Sequence, residues 1–278
     1  MQCTNPSIIR NPKYDFGRTD QPQGLLVPCG KCMACRIART REWTVRMMNE
    51  SNCHDRNVYV TLTYSDDYLP ENLSLSKREA QLFIKRLRKS IEPLKIKYYL
   101  CGEYGEEFSR PHYHAIIFGL GIESEETIKN AWPFGFIKLG YVEHDSIQYV
   151  SGYIQKKFSG KLGDEVYGDR LPPFHLQSKG LGKEWAIRNQ RQLEQQLTVK
   201  VGGVPMGLPR YYKKILEIDS ELTKVAALER EKAFEERAIK KGAVTENEKA
   251  DLRQESRIQT NINLVAKSKL YTRNGVND

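Results

Sequence analysis

The chain has 278 residues, enough for one large domain or two small ones around a buried core. Its 44 Lys plus Arg outweigh 35 Asp plus Glu for a net charge of +9, and with 10% aromatics, 15 of them tyrosines, it is not a disordered basic tail. Its longest apolar stretches, such as residues 115–120, are far too short for a bilayer, and the N-terminus lacks a charged-then-apolar signal pattern, so the expectation is a soluble intracellular protein rather than a secreted, disulfide-stapled or membrane-spanning one, with a polyanion as partner.

The charge is uneven. Residues 215–260 hold 11 acidic and 9 basic side chains, a net of −2, which leaves +11 for the rest. A basic surface also serves plain solubility, but here the excess lies in the first three quarters of the chain, where the chemistry-bearing motifs sit.

In chain order, the first fifty residues carry four of the six cysteines. Cys29-Gly-Lys-Cys32-Met-Ala-Cys35 is a C-x2-C-x2-C run, and Cys3 can supply a fourth thiolate. A helix is predicted over about 36–49, with Arg36, Arg39, Arg41 and Arg46. Residues 58–64 alternate and are rich in β-formers, which predicts a strand. Ser76 and Glu79 form a capping box ahead of a helix with apolar positions Ala80, Phe83, Ile84, Leu87 and Ile91, and Pro93 stops it. Strands are predicted over 95–103 and 112–118, joined by the polar segment 104–111. A short helix near 124–131 and a strand over 136–142 follow. Asp145 or Ser146 then caps a helix running to about Phe158.

This order predicts an α+β fold: a central, largely antiparallel sheet with flanking helices, a Cys-rich N-terminal segment and a C-terminal helical tail. The expected boundaries are 1–50 for the Cys-rich segment and basic helix and 51–160 for the core. Residues 161–215 form an accessory segment packed on that core, and 216–278 a charged helical tail. Beyond Gly160 the periodic signal fades, and there is no internal repeat.

Two constellations carry chemistry. His112-Tyr113-His114 opens an apolar strand, so alternation puts both imidazoles on one face, where they can bind one divalent ion or simply be strand histidines. If the two neighbouring strands form a hairpin, Glu103 lies beside the histidines and completes a Glu-His-His set; otherwise it is a hairpin-end charge. Glu106 and Glu107, in the loop, are weaker candidates. In the second constellation, Tyr149 and Tyr153 are four apart and share one helix face, followed by Lys156 and Lys157. A tyrosine stripe is ordinarily a core face, but Gly152 interrupts this one and lysines end it. A phenol flanked by lysines beside a metal is what phosphoryl transfer from DNA to protein needs.

Three segments together resemble the HUH endonuclease superfamily: Val60-Thr61-Leu62-Thr63-Tyr64; Cys101-Gly102-Glu103-Tyr104-Gly105 through Arg110-Pro111-His112-Tyr113-His114; and Tyr149-Val150-Ser151-Gly152-Tyr153-Ile154-Gln155-Lys156-Lys157. More narrowly, with Pro28-Cys29-Gly30-Lys31-Cys32 and Pro209-Arg210-Tyr211-Tyr212, the chain looks like the replication initiators of microviruses, small single-stranded DNA phages of the gokushovirus type. The likeness covers roughly residues 1–215, and the joint order of motifs is more specific than any one of them. It departs at Tyr113, an amphipathic residue between the histidines where a purely apolar one is expected.

The resemblance implies a rolling-circle nickase and strand transferase working through a 5′-phosphotyrosine. In it, His112 and His114 are metal ligands with Glu103 the third, and the ion is Mg²⁺ or Mn²⁺. Tyr149 and Tyr153 are the paired nucleophiles, accompanied by Lys156 or Lys157. It also implies origin single-stranded DNA, host helicase and polymerase as partners, in the bacterial cytoplasm. No nucleotide-binding loop is needed, and Gly180-Leu181-Gly182-Lys183 has the wrong spacing for one. Two other functions remain open: a zinc-containing DNA-binding protein without catalysis, and a hydrolase that activates water on a histidine-bound metal. Cys3, Cys29, Cys32 and Cys35 suit a structural zinc site, with an iron–sulfur centre or free reduced thiols as the other readings. Cys53 and Cys101 read as ordinary buried thiols.

Overall fold

The structure is a computed structural model that describes residues 3–12, 14, 23–105, 107–156, 161–201, 203–243 and 245–273. Along the chain run β1 (Ser7–Arg10), β2 (Gly24–Val27), α1 (Met33–Ser51), β3 (Asn57–Tyr64), α2 (Lys77–Ser90), β4 (Lys97–Tyr104) and β5 (Pro111–Phe118). Then come α3 (Glu125–Ala131), β6 (Gly135–Tyr141), α4 (His144–Lys156), α5 (Lys161–Tyr167), β7 (Phe174–Gln177), α6 (Lys183–Arg188) and α7 (Gln190–Gln196). Last are β8 (Thr198–Val201), β9 (Val204–Gly207), α8 (Arg210–Ile215), α9 (Ser220–Lys240) and α10 (Glu246–Arg273). The chain divides into two compact units, Thr40–Ile218 and Met1–Arg39 with Asp219–Asp278.

The larger unit is built on a five-stranded antiparallel sheet of order β6-β3-β5-β4-β7. Strict alternation in β3 divides the sheet's two faces. Val58, Val60, Leu62 and Tyr64 point to one face and are buried with Ala80, Phe83, Ile84 and Leu87 of α2 and Ile128 and Ala131 of α3. Each such aliphatic or aromatic side chain withdrawn from water contributes about 1.5–3 kcal/mol. The other face packs Tyr99, Cys101, Ile116 and Phe118 against Met47 of α1 and Ile147, Val150 and Tyr153 of α4. A third cluster joins Val45 of α1 to Ala186, Leu193, Val199, Leu208 and Tyr212. The α+β class and the layering expected from the sequence are thus what the chain adopts.

Four local readings need correction. The fading signal after Gly160 hides β7, which extends the sheet beyond β4 through pairs such as Cys101 with His175; four residues are too few for alternation to register. The capping box is half made. Ser76 Oγ accepts from the Glu79 N–H at 3.2 Å, but the Glu79 carboxylate turns to the Tyr64 hydroxyl, while the Ser76 N–H donates to Tyr113 Oη at 2.8 Å. Helix α4 begins at His144, with the Ile147 N–H donating to the Glu143 carbonyl, so Asp145 and Ser146 lie inside it. Cys53 is only half-buried, its thiol on the Asn49 carbonyl, whereas Cys101 is buried as expected.

Gly182 is required by close approach. At φ +75° it lies in the left-handed region, and a Cβ there would collide with the Tyr212 hydroxyl. Its N–H donates at 2.7 Å to Glu50 of α1, whose fully buried carboxylate also meets Lys97 Nζ at 2.8 Å and His54 Nε2 at 2.7 Å.

In the smaller unit, β1 and β2 form an antiparallel pair whose residues are almost all exposed, and α9 and α10 are the two long helices. No helix among the described residues is long and apolar enough to cross a membrane.

Candidate metal centre and tyrosine pair

The hairpin of β4 and β5 sets Glu103 directly opposite His112 and Cys101 opposite His114. Opposed residues share a face and the side-chain period is two, so Glu103, His112 and His114 all project to one side. Glu103 Oε1 lies 2.8 Å from His112 Nε2 and 3.1 Å from His114 Nε2. One ligand atom from each of the three residues, a carboxylate oxygen or a ring nitrogen, falls within 4.8 Å of the others. Glu103 and His114 are buried and His112 is half-buried. Burial alone would raise the Glu103 carboxyl, but hydrogen bonds to the two imidazoles and their charge hold it down to about 2.

The far side of each ring is also fixed. His112 Nδ1 faces the Arg110 carbonyl at 3.2 Å, an acceptor only, so Nδ1 carries the hydrogen and Nε2 is the nitrogen turned to the cluster. His114 Nδ1 meets Tyr59 Oη at 2.7 Å and Thr61 Oγ1 at 3.1 Å, and the Tyr59 ring stacks on the imidazole with an interplanar angle of 8°. Such outer partners orient metal-binding imidazoles. The donor set fits a divalent cation: two ring nitrogens and an ionised carboxylate oxygen converge on one point, with the remaining ring nitrogens already engaged.

Tyr113, between the histidines, turns to the opposite face. Its ring is buried, and its hydroxyl bonds Tyr64 Oη at 2.8 Å and the N-cap residue of α2. Burial pushes its phenol up to about 12. The departure at this position therefore has a role: an amphipathic side chain here fills the core and ties β5 to α2.

Helix α4 brings the tyrosines over the imidazoles. Tyr153 is 4% exposed, stacks parallel to His114 at 5.2 Å between centroids, and sets Oη 3.4 Å from His114 Nε2. Burial, then the Glu103 charge, pushes its phenol well above the ordinary value. Tyr149, one turn earlier, is 46% exposed, with its ring edge-on to His114 at 5.4 Å and to Tyr153 at 4.9 Å. Hydrogen bonding at 2.8 Å between Ser151 Oγ and Thr44 Oγ1 joins α4 to α1. Lys156 is the last residue of α4; Lys157 lies outside the described residues, as does Glu106. Glu107 is exposed in the loop between β4 and β5. The four cysteines Cys3, Cys29, Cys32 and Cys35 come together in the other unit.

Sequence reasoning missed Tyr59 and Thr61, which hold His114, and two residues on β6. Phe136 lies in the same cross-strand row as Thr63 and His112, and Lys138 in the row of Thr61 and His114. Phe136 is 67% exposed and Lys138 is also exposed. The signal that could have found all four is the alternation of β3, once paired in register with its neighbours.

The model of a family of replication-associated proteins, described by its ORF2 members, matches residues 57–158, from β3 to just beyond α4. Bdellovibrio phage phiMH2K has a "Replication-associated protein VP4" that is 33% identical over 214 residues, 67% of this chain and 66% of that protein. The chain belongs to this family of replication-associated proteins. The "Replication-associated protein ORF4" of Chlamydia phage 1 is 30% identical over 68% of this chain and 53% of its own length. The "Replication-associated protein ORF2" of Spiroplasma virus 4 is 29% identical over 78% and 81%. The chain thus spans just under two thirds and about half of the first two relatives. No solved structure matches. The residues matched to the family include Glu103, His112, His114 and both tyrosines of α4, and leave out the four cysteines.

Proposed function

We propose that this chain is a metal-dependent, site-specific nickase and strand transferase for single-stranded DNA, of the HUH endonuclease type. It starts rolling-circle replication of a small phage genome through a 5′-phosphotyrosine. One observation carries the reading: Tyr153 Oη lies 3.4 Å from Nε2 of His114, whose other neighbour there is the carboxylate shared with His112. A nucleophile and a ligand set within reach of one phosphorus atom are what the reaction needs.

Glu103, His112 and His114 would hold Mg²⁺ or Mn²⁺, which when bound supplies positive charge that favours phenolate and offsets charge developing on phosphorus. Two imidazoles favour Mn²⁺ in affinity, while abundance in the cell favours Mg²⁺. Tyrosine oxygen forms the new bond to phosphorus and the bond from phosphorus to the 3′-oxygen breaks. The electron pair leaves with that oxygen, which takes up a proton as the phenol gives one up. The phosphotyrosine link keeps the energy of the cleaved diester, so rejoining needs no ATP, and the 3′-hydroxyl is free for a host polymerase behind a host helicase.

Tyr153, nearest the ligand set, makes the first attack. Tyr149, exposed one turn away, receives the second when the origin is regenerated, and Lys156, following on the helix, is the cationic partner. The DNA strand crosses the sheet toward β6, two strands or about 10 Å from His112, where exposed Phe136 offers a stacking surface and Lys138 a phosphate contact. The names of the relatives support a role in phage replication.

The test is incubation of the full chain with origin single-stranded DNA and Mn²⁺. The expected result is a protein–DNA band that survives SDS and is lost when Tyr149 and Tyr153 are both replaced by Phe. Cleavage without an adduct would establish the water-activating hydrolase instead. Binding without cleavage under any metal would establish the non-catalytic DNA-binding protein.

A further inference from the structure

The cysteine cluster lies outside the residues matched to the family and plays no part in the nicking reaction. The four sulfurs of Cys3, Cys29, Cys32 and Cys35 all fall within 4.8 Å of one another. Cys3 Sγ is 3.6 Å from Cys29 Sγ and 3.7 Å from Cys32 Sγ. A disulfide needs about 2.05 Å, and all four thiols are free. A tetrahedron with zinc–sulfur arms of about 2.3 Å has edges of about 3.8 Å, which is the spacing found. That spacing suits sulfurs around a single ion rather than around an iron–sulfur cage, whose ligands stand on different metal atoms.

Local structure prepares the sulfurs for charge. The Cys29 N–H points to Cys3 Sγ and the Cys32 N–H to Cys29 Sγ, each at 3.3 Å. Gly30, at φ +74°, makes the turn between Cys29 and Cys32. Cys32 directly precedes α1 and Cys35 lies in its first turn, where the helix dipole favours thiolates. The surroundings give the site a purpose. Strands β1 and β2 are four residues each and expose Ile8, Ile9, Leu25 and Leu26, so this hairpin has no core of its own to hold it.

We propose that Cys3, Cys29, Cys32 and Cys35 bind one structural Zn²⁺ as four thiolates, clamping the hairpin between the start of the chain and the first turn of α1. The site is independent of the catalytic reading and stands or falls by itself.

Elemental analysis of the full chain, purified without added metal, tests it. The expected result is one zinc per chain, retained when His112 and His114 are both replaced by Ala and lost in Cys29→Ser or Cys32→Ser. Replacement by Co²⁺ in the unmodified chain, which avoids variants that fail to fold, should give the intense sulfur-to-cobalt charge-transfer and visible bands of a tetrahedral thiolate site. Removing the metal with a strong chelator should make the hairpin protease-sensitive. Iron in place of zinc, zinc that follows the histidines rather than the cysteines, or four freely titrating thiols on a metal-free chain would each overturn the proposal.

Discussion

Three side chains on one hairpin decide the chemistry, and a fourth between them decides the fold. His112 and His114 share Glu103 Oε1, while Tyr113 points through the sheet to the cap of α2. Replacing either histidine by Ala should therefore lower nicking by at least about 100-fold, a loss of the size that metal-site disruption brings. Affinity for single-stranded DNA should change only a few-fold, because stacking and phosphate contacts lie elsewhere. Parallel measurement of cleavage rate and binding checks this, and equal losses in both would count against the metal role. At this scale the sequence was informative where chemistry follows local spacing: the two-residue step of the histidines and the four-residue step of the tyrosines are readable without coordinates. Tyr59, Thr61, Phe136 and Lys138 were not, because their proximity to His114 and His112 comes from pairing strands tens of residues apart.

Among the elements, α1 is held to the sheet by an ion network as well as by packing. The buried Glu50 carboxylate meets Lys97 of β4, His54 and the Gly182 N–H. Burial opposes its charge, yet the hydrogen bonds from His54, Lys97 and Gly182 outweigh this and hold its pKa below the ordinary 4.5. A depressed carboxyl stabilises the fold above its unfolded pKa, and that contribution is lost as pH falls below about 4.5 through the folded value. Glu50→Gln should cost about 3 kcal/mol near neutral pH, the scale of breaking a buried pair, and should flatten the fall in stability on acidification. Denaturant titrations of both proteins from pH 7 to pH 3 measure it; parallel pH profiles would rule out the network as a contributor. Strand β7 and the half-made capping box show where element-level reading stops. The strand is too short to display a period, and the Glu79 carboxylate finds a better partner in Tyr64, a residue of another element.

On the scale of the whole molecule, the +9 net charge and the open row of Phe136 and Lys138 make binding electrostatic in part. The affinity for single-stranded DNA should fall steeply with salt, and Lys138→Ala should reduce the slope of log affinity against log salt by about 0.7, the value for one phosphate contact on a single strand. Fluorescence titrations at several salt concentrations would show it; an unchanged slope would remove Lys138 from the DNA path. The fold class was legible as a whole because alternating strands and amphipathic helices of ordinary length fill residues 57–156. The division into Thr40–Ile218 and a unit made from both ends of the chain was not, since it depends on contacts between distant segments. The claim that joins these scales is that α4 supplies the nucleophile. Protease digestion and mass spectrometry of the wild-type protein after reaction with origin DNA and Mn²⁺ test it most directly. The account predicts a nucleotide remnant on the phenol of Tyr153 in the first turnover; a remnant on a residue outside α4, or cleaved DNA with no remnant on the protein, would contradict it.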